Sequence, residues 1–214
     1  MKRNTTIPQS ASLTAPFTQR GLIIGITGGT GWGKTTLLSV IKEHGGLVID
    51  CDQLYHQLLL TNKSLLDKIE ARFPGVVQDG ILQRKKLGSL VFTDKKALQD
   101  LNAITHKAVY DAVLKLLSSA PKLTAIDAIG LFESGLNKLC DITIAVTAPV
   151  DARIARLVER DQIPEEYAKS RIAAQPANET FSALCDYTLE NNETTEAFRE
   201  KCLVFLKTLD IIIL

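Results

Sequence analysis

Residues 28–36 read Gly28-Gly29-Thr30-Gly31-Trp32-Gly33-Lys34-Thr35-Thr36, a glycine-rich run ending in lysine and threonine. Gly28, Gly33, Lys34 and Thr35 complete the pattern GxxxxGK[ST]. The run lies between an apolar stretch, Leu22 to Thr27 (LIIGIT), and an amphipathic one, Lys34 to His44. A strand before and a helix after form the context this pattern needs. Glycines let backbone N–H groups turn inward around phosphates, and the amino end of the next helix adds partial positive charge. Lys34 is expected to bridge the β and γ phosphates of ATP, and the Thr35 hydroxyl to reach Mg2+. Trp32 fills a variable position that contributes mainly its backbone N–H. The reading treats it as a local modifier packing beside the acceptor or nucleoside.

Outward from this loop, short apolar runs alternate with helical patterns. Leu47 to Asp50 (LVID), Leu123 to Asp127 (LTAID), Ile142 to Thr147 (ITIAVT) and a short Tyr187 to Glu190 (YTLE) join LIIGIT as strands. Strands apolar throughout suit a parallel sheet covered by helices on both faces. The expected fold class is therefore α/β, with a P-loop NTPase-type parallel five-stranded sheet flanked by helices. Between Asp52 and Pro121, about seventy residues read mostly as helix, including Gln53 to Leu60, Ser64 to Phe73, Arg84 to Val91 and Lys95 to Leu117, too long for a simple crossover. A second insertion, Asp151 to Ala183, holds Arg153, Arg156, Arg160 and Arg171 around Gln162-Ile163-Pro164. Basic side chains on a helical hairpin suit a lid over phosphates. The division read is a leader 1–20, a core of 21–52 with 121–150 and 184–214, a helical acceptor insert 53–120 and a lid 151–183.

The 214 residues suffice for one domain with insertions, and 45% apolar with 23% charged residues fits a soluble globular chain. Basic and acidic residues number 25 and 24, with no long block of either sign, which argues against nucleic acid as a partner. No apolar run approaches the ~20 residues needed to span a bilayer, so no membrane partner is expected. Cys51, Cys140, Cys185 and Cys202 lie far apart, outside zinc spacing, and read as small buried side chains in a reducing, cytoplasmic compartment. The leader MKRNTTIPQSASLTAPFTQR loosely resembles a transit peptide, but a flexible extension is preferred.

Two patterns imitate a GTPase. Asp127-Ala128-Ile129-Gly130 matches DxxG, and Asn137-Lys138-Leu139-Cys140 nearly matches NKxD. The second precedes its strand, on the wrong end to read a base. More telling is Asp50-Cys51-Asp52 at the carboxyl end of LVID, where open α/β sheets place ligands. A carboxylate there can accept or orient the proton of an acceptor hydroxyl. The simpler alternative is that both aspartates cap the next helix. Asp127, ending LTAID, is a candidate to hold Mg2+ through water.

An ordered series of segments resembles the dephospho-CoA kinase family: IGITGGTGWGKTT, VIDCDQL, ARFPG, GILQRKKLGSLVFTD, LNAITHKAV, LFESGL, RLVERD, RIAAQ and CDYTLENN. The series covers nearly the whole chain from Gly21, including the helical insert. The resemblance implies phosphorylation of the ribose 3′-hydroxyl of dephospho-CoA by ATP with Mg2+, in a monomer or weak homo-oligomer. By position it implies Asp52 as catalytic base, Asp50 as a support for the acceptor or metal and Arg160 as the lid arginine on the transferring phosphoryl group. His106 and Phe132 then belong to the acceptor site, and Arg156 and Asn191 join the loop residues in the nucleotide site. For His106, a helix-surface or core position is the alternative.

Three departures from the family pattern stand out. Trp32 replaces a small residue, Lys107 replaces the proline after the family histidine, and Ile129-Gly130 replaces Pro-Leu after Asp127. A kinase for another nucleoside or nucleotide acceptor and a catalytically weak nucleotide-binding regulator are the rival readings.

Overall fold

The computed structural model describes residues 21–211; the leader, and the readings placed on it, lie outside the described residues. In chain order the elements are β1 (Leu22–Thr27), α1 (Lys34–Glu43), β2 (Leu47–Asp50), α2 (Cys51–Thr61) and α3 (Lys63–Arg72). There follow β3 (Val77–Gln78), β4 (Ile81–Leu82), α4 (Arg84–Val91), α5 (Lys95–Leu117) and β5 (Leu123–Asp127). A 3-10 turn (Leu136–Leu139) leads to β6 (Ile142–Thr147), α6 (Val150–Asp161), α7 (Glu165–Ala173), α8 (Asn178–Leu184), β7 (Tyr187–Glu190) and α9 (Thr195–Thr208).

The main sheet runs β2-β5-β1-β6-β7, every pair parallel. Alternate side chains leave opposite faces of a strand. Ile24 and Ile26 of β1 therefore join α1 and α9, packing with Leu37, Ile41, Phe198 and Leu206. Ile23, Ile49 and Ile126 pack on the other face with Val109 and Val113 of α5 and with Leu131. Burial on both faces explains why no polar alternation marks these strands, and each buried Ile or Leu contributes roughly 1.5–3 kcal/mol.

Helices α2 to α5 build a second core around Leu65, Ile69, Phe73, Leu87 and Leu101. The long α5 joins the two: Ala97 and Leu101 belong to the insert's core, Val109 and Val113 to the sheet's. Asp94 starts it by accepting from the amides of Lys96 and Ala97. The insert also contains the antiparallel hairpin β3–β4, which the helical reading of this region passed over. Asp79 and Gly80 turn it, with φ of 52° and 75°, and an Asp-Gly pair favours this two-residue turn. Helices α6 and α7 close on Leu157, Ala168 and Ile172. Asn137 and Lys138 lie in the 3-10 turn before β6, opposite the end of the sheet where β1 delivers its glycine loop. The GTPase-like pattern has no place in that site.

Candidate active site

The loop after β1 closes on α1, whose N-cap is Gly33, with φ 84° and no side-chain cap. A Cβ at Gly33 would stand 2.2 Å from Asn191 Nδ2, so the position has room only for glycine. Among the described residues nothing accepts from the amides of Gly31, Gly33, Lys34 or Thr35. Thr36 N donates instead to Gly33 O at 3.1 Å. Unsatisfied donors at a helix start make an anion site. Lys34 Nζ donates to Gly28 O at 2.9 Å and stands 3.3 Å from Asp127 Oδ1. That carboxylate oxygen is buried and makes no well-formed hydrogen bond, so the contact is an ion pair.

Register brings the acidic groups together. Asp127 lies beside Asp50 across the β2–β5 pair, at the carboxyl edge of the sheet. Burial pushes the Asp127 carboxyl above its usual range, Asp50 and Asp52 push it further, and Lys34 opposes them. A carboxyl raised in the fold contributes most stability below its unfolded value and loses that contribution as pH rises through the folded value. The Lys34 ammonium beside it, at 3.3 Å, is the charge that favours its ionised form.

Gly29 to Gly31, Gly33 to Thr35, Asp127 and Ile129 share a cleft of about 590 Å3 with Arg156, Glu159, Arg160 and Arg171. Arg160 is 61% exposed and bonds its neighbour Asp161 through Nε and Nη2 at 2.7 and 3.0 Å. Arg171 Nη1 meets the same carboxylate at 2.7 Å. These two guanidinia, Arg160 first, hold the Asp161 carboxyl down to about 2. Arg156 turns inward: Nη1 donates to Gly31 O, and Nη2 to Asn191 O and Oδ1. Asn191, 4% exposed, returns a hydrogen bond from Nδ2 to Trp32 O at 3.0 Å.

Two sequence expectations are corrected here. The Trp32 ring is 0% exposed, meeting Phe181 edge to face at 5.0 Å, so it is core beneath the loop and faces neither acceptor nor nucleoside. Arg153, grouped with the lid arginines, lies under the loop against that indole and does not line the cleft. Gln175 was passed over as a site residue, although it ends the RIAAQ segment. It bonds both Thr30 and Arg153.

On the acceptor side Asp50 is the N-cap of α2, its Oδ1 accepting from Gln53 N at 2.9 Å, so α2 starts two residues before the expected Gln53. Asp52 is exposed in the first turn of α2. The capping alternative thus holds for Asp50, while Asp52 remains open to a ligand. Between them, burial first and then the nearby Asp127, Asp52 and Asp50 push the Cys51 thiol up to about 12, which keeps it neutral and unreactive. His106 is half-buried on α5 and Phe132 half-buried against the lower core; neither lines the loop's cleft. Ile129 does line it, with its carbonyl accepting from Thr27 Oγ1 at 3.0 Å. Gly130 is outside the positive-φ set, and a Cβ there meets only Glu133 Oε2 at 3.7 Å, so the backbone does not demand glycine.

Comparison with known proteins places this geometry in a family. A family profile described as dephospho-CoA kinase matches residues 22–197. The chain is 37% identical over 196 residues to a dephospho-CoA kinase of Geobacillus kaustophilus, covering 88% of this chain and 97% of that one. A solved structure of TT1252 from Thermus thermophilus superposes with a TM-score of 0.74 at 29% identity, over 89% of this chain and 99% of that chain. Dephospho-CoA kinase from Campylobacter jejuni gives 0.62 at 25% identity, over 86% and 95%. With its loop, carboxylate edge, helical insert and arginine-bearing hairpin all inside the matched span, the chain belongs to the dephospho-CoA kinase family.

Proposed function

We propose that the protein transfers the γ-phosphoryl group of ATP to the ribose 3′-hydroxyl of dephospho-CoA, giving coenzyme A and ADP. The observation that carries this reading is one cleft joining the open loop amides and Lys34 to Asp127, Arg156, Arg160 and Arg171, in a chain of this family. The loop amides and Lys34 bind the β and γ phosphates. Asp52 orients the acceptor hydroxyl and takes its proton, a role worth about 10²–10⁴ in rate. Asp50, fixed as a helix cap, supports the acceptor or the metal. Arg160 leaves Asp161 to lie on the transferring group, and closure of the hairpin excludes water. The residue assignment extends Arg156 and Asn191 to the nucleotide side and His106 and Phe132 to the coenzyme side. The division into core, acceptor insert (53–120) and lid (151–183) belongs to the same proposal.

The donors fit Mg2+. Asp127 Oδ1 is a buried oxygen without a hydrogen bond, and Thr35 is an exposed hydroxyl in the same cleft, both hard ligands for a hard cation. Among the described residues no cluster of three or more His, Cys, Asp or Glu forms a cage. That suits an ion completed by phosphate and water oxygens. Bound there, Mg2+ neutralises charge on the β and γ phosphates. A monomer or weak homo-oligomer belongs to the same proposal. Near-neutral charge speaks against nucleic acid, and no described helix is long and apolar enough to cross a membrane. Four free thiols support a reducing, cytoplasmic setting.

The test is chromatographic detection of coenzyme A after incubation with MgATP and dephospho-CoA. Wild type is expected to form it, and Lys34→Ala and Asp52→Asn to lose about 10²-fold or more in rate. Normal turnover by Lys34→Ala, or none by folded wild type that binds ATP, would refute the reading.

A further inference from the structure

Arg153 is 3% exposed, and none of the described carboxylates pairs with it. Its partners are all neutral. Nε donates to Thr30 O at 3.2 Å, Nη2 donates to Gln175 Oε1 at 3.0 Å, and the guanidinium lies 5.0 Å from the centre of the Trp32 ring. The same Gln175 Oε1 accepts from Thr30 N at 2.9 Å, while Gln175 Nε2 donates to Thr30 Oγ1 at 2.9 Å. Every polar atom of Thr30 is thus held from outside the loop. The next two carbonyls are held as well: Gly31 O by Arg156 and Trp32 O by Asn191. In a planar trans peptide the N–H points opposite the carbonyl. Holding the Thr30, Gly31 and Trp32 carbonyls from outside the loop therefore leaves the Gly31 and Gly33 N–H groups on the opposite side, while Trp32 N donates to Gly29 O at 3.4 Å. Close backbone contact accompanies this, since a Cβ on Gly31 would stand 3.1 Å from Arg153 O.

A buried charge normally needs a counter-charge to offset its desolvation. Here dipoles and a π face hold the guanidinium, and burial lowers its pKa without discharging it, because arginine stays protonated in proteins. Its charge is left uncancelled directly behind the loop. In a water-poor setting such a charge acts over a longer range than at the surface.

We propose that Arg153 is a positioning residue for nucleotide polyphosphate: it fixes the phosphate loop from behind in its anion-binding shape and lends it a buried positive charge, without touching the nucleotide. This rests on the reading that the loop binds ATP. It assigns Arg153 a role opposite to that of a lid arginine, which approaches the phosphates from the solvent side. Gln175 completes the device by fixing both the guanidinium and Thr30.

The experiment is calorimetric titration of the full chain with ATP and, separately, adenosine, for wild type, Arg153→Met and Arg153→Lys. Methionine keeps an unbranched apolar side chain and removes charge and donors; lysine keeps the charge and loses the fork. Arg153→Met is expected to weaken ATP about 10- to 100-fold, the scale of hydrogen bonds to a charged group, with adenosine changed by less than about threefold. Arg153→Lys is expected to fall between Met and wild type. A folded Met variant that binds ATP within about threefold of wild type would overturn the proposal, as would equal losses for ATP and adenosine. If the Met variant does not melt cooperatively, Arg153→Gln is read by the same criteria. Wild type that binds no ATP overturns this inference and the kinase reading together. Wild type that binds ATP but forms no coenzyme A overturns the kinase reading alone.

Discussion

Arg153 and Arg160 stand two turns apart on α6, and their surroundings differ in every respect. At the helix start the guanidinium is buried, without a carboxylate, and spent on the Thr30 carbonyl and Gln175. At the helix end it is mostly exposed and bonded to an aspartate that Arg171 shares. Arg156, between them, reaches the loop like the first yet lines the cleft like the second. The comparison teaches that residue type and helical spacing do not assign a role. Packing separates them: the end on the core is held against the loop, and the end in solvent stands exposed at the cleft.

Substitutions along α6 test that division, beginning with the largest effect. Arg160→Ala is expected to lower kcat about 10³-fold or more, with ATP affinity from calorimetry within about threefold of wild type. Equal losses in both would break the comparison, because the outer arginine would then be a holding group too. Arg156→Met is expected to raise the ATP dissociation constant about tenfold and to lower the melting temperature, since it strips donors from Gly31 O and Asn191. An unchanged melting temperature would move Arg156 into the outer class. The smallest effect belongs to Asp161→Asn, which releases Arg160 and Arg171; KM for ATP is expected to fall about two- to fivefold. Its pH signature is fixed in sign. A carboxyl held down to about 2 contributes stability above its unfolded value, and that contribution is lost as pH falls. The wild-type and Asp161→Asn chains should therefore differ in melting temperature at pH 6 and converge in acid, as scanning calorimetry at both ends will read.

The sheet was legible because each strand is buried on both faces, and its apolar run announces it without help from distant residues. Lys34, Thr35 and Asp127 were legible for a related reason: the loop and strand ends that carry them are local features, and parallel register converts them into neighbours. Trp32 was not. Its burial depends on Phe181, far along the chain, and no local pattern records that packing. Arg153 was misgrouped because helical spacing shows which face a side chain is on, not what covers it. The β3–β4 hairpin carried a usable signal in Asp79-Gly80, hidden by the helical segments around it. His106 and Phe132 rest on the family resemblance, and their half-buried positions away from the cleft give that reading no added geometric support.

Trp32 is the only tryptophan in the chain, and it sits under the loop with Phe181 on one side and the Arg153 cation on another. Its indole Nε1 is buried without an acceptor. The ring therefore works as an unlabelled optical gauge: one tryptophan emission band, from one ring, sensitive to the charge beside it. Any shift of α6 against the loop changes that band, so the tightening of the site can be followed in stopped-flow time by light alone.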